Sequence, residues 1–249
     1  MLTTWIYTLA AVFLVSLISF AGILTISIKL EVLKKILMFL VSLSAGALLG
    51  GAFFHLIPEA TEKAGCTLGV ATFILAGILV FFVLEKVICW RHCHIPTSDE
   101  HPHSFAFMNL IGDAFHNFID GMVIAGTFLV SIPLGISTTL AVAFHEIPQE
   151  IGDFGVLVHG GFGRFKALLL NFASALTAVV GALVVLALNV KIEAVTAFLV
   201  PFTAGGFIYI ASSDLMPEMK KDIRPLNSLV QIIFLLLGLG IMLSLVLFE

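Results

Sequence analysis

Charge is what this chain has least of. Asp, Glu, Lys and Arg make up 11% of its 249 residues, against 60% hydrophobic, and the mean hydropathy is +1.15. That composition excludes a soluble domain of this size and indicates a polytopic membrane protein. Cysteine is also scarce. Cys66, Cys89 and Cys93 are too few and too scattered for a disulfide framework. No GxxxxGK[ST] string is present, so nothing in the sequence points to ATP as an energy source. The net charge of −4 says little about nucleic acid, because the few charges sit mainly between apolar runs, and no nucleic-acid partner is expected. The first apolar run is too long for a signal-peptide core and no cleavage site follows it, so a cleaved leader is not expected.

What is present is a series of apolar runs long enough to cross a bilayer. They fall near 5–28, 34–58, 68–90, 104–131, 134–158, 166–190, 193–217 and 226–248. The expected fold is therefore all-α, with eight transmembrane helices. With the N-terminus outside, the odd-numbered connections carry Lys29, Lys34, Lys35, Lys86, Arg91, Arg164, Lys166, Lys220, Lys221 and Arg224. Only Lys63 and Lys191 then lie outside. The positive-inside rule thus predicts a multi-pass protein of the cell membrane with both termini outside and loop 91–103 in the cytoplasm.

Two segments repeat. Ser44–Glu59 (SAGALLGGAFFHLIPE) and Thr203–Glu218 (TAGGFIYIASSDLMPE) share Ala, Gly, Leu, Pro and Glu at a constant offset of 159. His55 meets Asp214, and Glu59 meets Glu218. The segments lie in the second and seventh runs, which cross in opposite directions, as inverted repeats of secondary transporters do. A shorter echo at offset 29 links AFHN (114–117) with AFHE (143–146). The result is a 3+2+3 plan in a single domain, 1–249. Repeat one covers about 5–90, the central pair 104–158, and repeat two about 166–248.

The central pair carries the anomaly. Each Asp or Glu at the middle of a membrane helix costs about 2.5–3.5 kcal/mol on the insertion scale, while each Leu, Ile or Phe returns only about 0.3–0.6. HNFID and HEIPQEIGD nevertheless place Asp120, Glu146, Glu150 and Asp153 within apolar runs. Such groups face one another, a watery path or a cation. Asp113, His116, Asn117 and Asp120 share an arc of roughly 100°, and His145, Glu146, Gln149, Glu150 and Asp153 one of about 140°. Nitrogen and oxygen donors stacked four residues apart suit a borderline divalent metal. Asp120 can serve two adjacent positions, so two neighbouring cation sites are expected. Asp113 and Asp153, nearer the helix ends, are pathway or packing residues, as are His55, Glu59, Asp214 and Glu218. His92, Cys93, His94, His101 and His103 in the third connection make a loose metal-holding set that matches no tetrahedral module. His159 reads as a helix-end residue.

At these strings the chain resembles the ZIP family of divalent metal transporters, in particular the subfamily with HNFxDG and HExPHExGD. Here they read HNFIDG (116–121) and HEIPQEIGD (145–153), and HLIPE (55–59) and DLMPE (214–218) fit the same style. The resemblance spans essentially the whole chain. It implies a transporter rather than an enzyme, without a cofactor. Zinc would be the cargo, taken into the cytosol by alternating access through a binuclear centre between the fourth and fifth helices. Carried over, His116, Asp120, His145 and Gln149 form one site. Asn117, Asp120 and Glu146 form its neighbour, with Glu150 close by. The partners implied are divalent ions, the bilayer and, as in relatives, a second copy in a homodimer. The departure is Gln149, where the signature has His. An amide oxygen is a harder, weaker donor than imidazole, which opens selectivity to manganese, iron(II) or cadmium. The alternative is an intramembrane zinc metalloprotease with HEIPQ standing for HExxH. Its second His is Gln149, and Asp120-Gly121 precedes the motif instead of following it. A bis-His haem pocket would be apolar, and carboxylates flank each candidate His here.

Overall fold

A computed structural model describes residues 2–20, 30–65, 67–92, 103–188 and 192–246. These residues are helical apart from short connections, and no strand occurs among them. In chain order the helices are α1 (Leu2–Ser16), α2 (Leu30–Gly50), α3 (Ile57–Ala64), α4 (Leu68–His92), α5 (Ser104–Val130) and α6 (Ile132–His159). They are followed by α7 (Arg164–Ala175), α8 (Thr177–Leu188), α9 (Ile192–Tyr209), α10 (Met216–Met219) and α11 (Pro225–Leu245).

Among the described residues six stretches qualify as membrane spans by length and apolar composition alone, and α5 and α6 are the other two of the eight expected. At 27 and 28 residues they are long enough, but the polar residues they carry dilute their hydropathy. Neighbouring helices cover that polar face, since α5 packs on α6, α7, α8 and α9, and α6 packs also on α2. The outward faces of α4 and α11 are exposed Leu, Ile and Val, such as Leu75, Leu79, Ile233 and Leu236. In water such faces would be aggregation-prone; in lipid they are simply solvated.

Two runs expected as plain helices are interrupted by π-helical turns. Gly51–Leu56 joins α2 to α3, and Ile210–Leu215 joins α9 to α10. Proline accounts for both. Pro58 and Pro217 have no N–H to give the carbonyls of Phe54 and Ser213, so the turn before each widens to five-residue bonding. Ile57 N–H accordingly donates to Ala52 O, and Met216 N–H to Ala211 O. Both turns obey the 159-residue offset of the sequence repeat.

The crossings obey it as well. A Cβ at Gly46 would overlap the Leu235 carbonyl and one at Gly238 the Leu43 carbonyl, where α2 meets α11. At the α4–α9 crossing, Gly205 sits on the Ile74 carbonyl and Gly77 on that of Phe202. Positions 43 and 46 become 202 and 205 at offset 159, and 74 and 77 become 235 and 238 at offset 161. In lipid there is little hydrophobic gain between helices. Close backbone approach at small residues supplies the van der Waals contact that holds them together.

The sixth apolar run is not one helix. It breaks at Leu176, where Thr177 Oγ donates to Ala114 O at 2.7 Å and Ser174 Oγ to Leu110 O at 3.1 Å. Two hydroxyls thus bind successive turns of α5. At the other end of this half, Asp222 clasps the start of α11. Its carboxylate accepts from Arg224 Nε at 2.9 Å and Nη2 at 2.6 Å, and from Asn227 Nδ2 at 2.6 Å. The Arg224 guanidinium beside it, with the Asn227 amide, holds this half-buried carboxyl well below the usual Asp range. A depressed carboxyl stabilises the fold above its unfolded pKa and loses that contribution as pH falls through the folded one. The clasp should therefore persist through mildly acid pH. Asp222→Ala should speed amide exchange at Asn227 and Ser228 in a hydrogen-exchange experiment at neutral pH, and the difference from wild type should vanish in strong acid.

Candidate metal centre

Helices α5 and α6 are joined by Ser131 alone. Its N–H donates to Thr127 O at 3.0 Å and its Oγ accepts from Leu134 N–H at 3.3 Å, ending one helix and starting the next. So tight a connection makes the pair antiparallel and fixes its register, which sets Asp120 opposite His145 and His116 opposite Glu146. Asp113, His116, Asn117, Asp120, His145, Glu146, Gln149, Glu150 and Asp153 are all buried.

Four of them converge. His116, Asp120, His145 and Glu146 each offer a donor atom, and all four atoms lie within 4.8 Å of one another. His145 Nε2 is 3.0 Å from Asp120 Oδ2 and 3.8 Å from Glu146 Oε1. His116 Nε2 lies 3.3 Å from Glu146 Oε1 and 3.6 Å from Asp120 Oδ2. Two imidazoles and two carboxylates around one point form a mixed N/O set that a tetrahedral zinc ion accepts. Among the described residues the Nδ1 atoms of both histidines have no hydrogen-bond partner. Buried polar atoms left so are costly unless the site binds something.

The grouping differs from the one the resemblance implies. Glu146 stands with His116, Asp120 and His145, whereas Gln149 and Asn117 both turn to Asp113. Gln149 Nε2 donates to Asp113 Oδ1 at 3.4 Å and Asn117 Nδ2 to the same oxygen at 2.8 Å. The reason is chemical. A carboxamide, unlike imidazole or carboxylate, carries two N–H donors, and Asp113 is a buried carboxylate that demands them. Glu150 accepts from Asn171 Nδ2 at 2.5 Å. Asp153 accepts from Asn109 Nδ2 at 3.0 Å and from Ser44 Oγ at 3.3 Å. A second tier of oxygen donors therefore lies one to two helical turns from the first.

Sequence reasoning missed Asn109, Asn171 and Ser44. Asn109 was findable, since it sits four residues before Asp113 on the same face. His55 comes near the cluster, its ring centroid 6.0 Å from that of His145, but its Nε2 contacts Met242 O at 2.9 Å. Asp214 is buried on the second π-turn, apart from the cluster. Glu85, whose carboxylate accepts from Tyr209 Oη at 2.5 Å, lies beside it. Glu59 is half-buried at one end of the bundle. Glu218, at the other end, meets His159 Nε2 at 3.4 Å and Lys221. The side chain of His92, with Cys93, His94 and His101, lies outside the described residues. His103 is exposed; its N–H donates to Gly160 O at 2.8 Å and its ring stacks on Phe105.

Fold and site together define a multi-pass helical membrane protein with a buried histidine–carboxylate cluster between two central helices. The family model for ZIP zinc transporters matches residues 2–105 and 96–246, and the chain belongs to that family. It is 32% identical over 263 residues to zinc transporter ZIP13 of Pongo abelii, covering 97% of this chain and 78% of the relative. It is also 32% identical over 266 residues to ZIP13 of Danio rerio, covering 84% and 75%. To zinc transporter SLC39A7 of Mus musculus it is 29% identical over 329 aligned positions, covering 96% and 69%. These relatives are named as transporters, not as proteases.

Proposed function

We propose that the chain takes zinc across the cell membrane into the cytosol, with both termini outside and the 91–103 connection inside. The observation that supports this most directly is the convergence of His116, Asp120, His145 and Glu146 at one buried point. These four hold the ion in the primary site. Asp113, Asn117, Gln149 and Glu150 provide an adjacent oxygen-rich site, so the centre is binuclear once both amides rotate their oxygens inward. Two halves related by an inverted repeat around α5 and α6, in a 3+2+3 order, expose this centre to each side in turn. Zinc is cargo here, and the protein needs no cofactor. The protease reading lacks the second zinc-binding His of HExxH, since that position is Gln149, whose amide donates to Asp113.

Uptake of radioactive zinc into proteoliposomes, competed by manganese, iron(II) and cadmium, tests the reading. His145→Ala should abolish competable uptake in protein that still elutes as a single species; unchanged uptake in that variant removes the site assignment. Gln149→His replaces a hard amide by a borderline imidazole and leaves Asp113 one donor short. Zinc preference over manganese should rise roughly tenfold, the lower end of what shell changes do to metal affinity. Competition curves that superimpose on wild type would mean that position 149 does not read the metal.

A further inference from the structure

We propose that His159 and Glu218 form a second, transient divalent-cation site at the cytosolic mouth, where the ion leaves the protein. The proposal rests on the transport reading and its orientation. His159 ends α6, the helix that carries His145 and Glu146, and lies about 21 Å further along its axis. Its Nε2 is 3.4 Å from Glu218 Oε2 on α10. The two side chains are 23% and 14% exposed, sheltered enough to strengthen a charge interaction and open enough to exchange water. One imidazole and one carboxylate are half of a zinc coordination set, and water completes the rest. A site of that kind binds weakly and releases fast, as the last station of a pathway must.

Glu218 already holds a cation. Its other oxygen is engaged by Lys221 three residues on, a tethered ammonium that an arriving metal displaces and that returns when the metal leaves. The neighbourhood is rich in imidazole as well. His103 is tied through its N–H to Gly160 O, directly beside His159. The Phe105 ring lies between the two imidazoles, at centroid distances of 5.4 and 5.9 Å.

A helix-to-helix latch would also bring His159 to Glu218, so the comparison with the opposite mouth matters. At offset 159, Glu218 corresponds to Glu59 and Lys221 to Glu62; at offset 29, His159 corresponds to Val130. The outer mouth thus has two carboxylates and a Val that is 76% exposed. The inner one has imidazole, carboxylate and lysine. The glutamate is common to both mouths, and packing gives no reason for the repeat to depart at both of the other two chemistry-bearing positions. A pathway whose ends do different work does: an acidic rim concentrates cations from outside, and a ligand pair with a built-in competitor discharges them inside.

Crystals of the full chain soaked in cadmium should give an anomalous peak between His159 and Glu218 besides the one at the buried centre. His159→Ala should remove the first and keep the second, and should lower the maximal rate of zinc uptake severalfold without moving the half-saturating concentration. His159→Gln separates the two readings, because Gln can still hydrogen-bond Glu218 but is a poor ligand. Loss of rate in Gln supports the metal site, whereas full activity in Gln means a latch and overturns it. A central peak alone at saturating cadmium also overturns it and leaves the transport reading standing. Absence of both peaks removes the transport reading itself.

Discussion

Asp120→Asn should lower the affinity of zinc uptake by about 100-fold or more, with the protein still folded. The size follows from position. Asp120 Oδ2 is the oxygen nearest His145 and also within 3.6 Å of His116, so it touches both imidazoles of the cluster. Outer-shell partners of metal ligands are worth about 10–100-fold in affinity, and a shared ligand is worth at least the upper end of that range. Asn keeps the shape but replaces an anionic oxygen with a neutral one and adds donors that face the histidines. Zinc concentration dependence in proteoliposomes measures the effect. A shift below about threefold would show that Asp120 is not a ligand.

Gly205→Val should prevent accumulation of monodisperse protein. Its Cβ would overlap the Ile74 carbonyl, and backbone cannot swing aside as a side chain can, so α4 and α9 must separate. Overpacking of this sort costs about 1–3 kcal/mol where side chains can adjust and more where they cannot, a large fraction of total stability. Separation would also undo the matching contact of Gly77 on Phe202. Gly240→Val is the internal control, because nothing lies within 4 Å of a Cβ there. Size-exclusion profiles in detergent should show normal yield for the control and aggregation for Gly205→Val. Equal profiles would contradict the tight crossing.

Much of this was legible in the chain. Apolar run length located the helices because a bilayer leaves the backbone no other partner than itself. Breaks within runs were not legible. The one at Leu176 depends on Thr177 reaching Ala114, 63 residues away, and no local signal marks it. The π-turns had a signal, the paired prolines, but proline equally permits a simple kink. At the site, the two polar strings named the residues that converge, because ionisable groups cannot face lipid. How they divide between tiers depended on the α5–α6 register and on amide donors, neither of which a single-helix arc contains. His159 read as a helix end because its partner sits 59 residues away on another helix.

The π-turns carry one more consequence, which concerns phase. A π-turn accommodates one residue beyond the α-helical count, and one residue is about 100° of rotation. Everything after Leu56 and Leu215 is therefore turned by that angle relative to an uninterrupted helix. Glu218 points at His159 because of that added rotation. Deleting a single residue within Ile210–Leu215 would restore regular winding and swing the Met216–Glu218 segment a quarter-turn or more away from α6, while His116, Asp120, His145 and Glu146 kept their places. The extra residue before Met216 thus sets the angle at which Glu218 meets His159, independently of the central cluster.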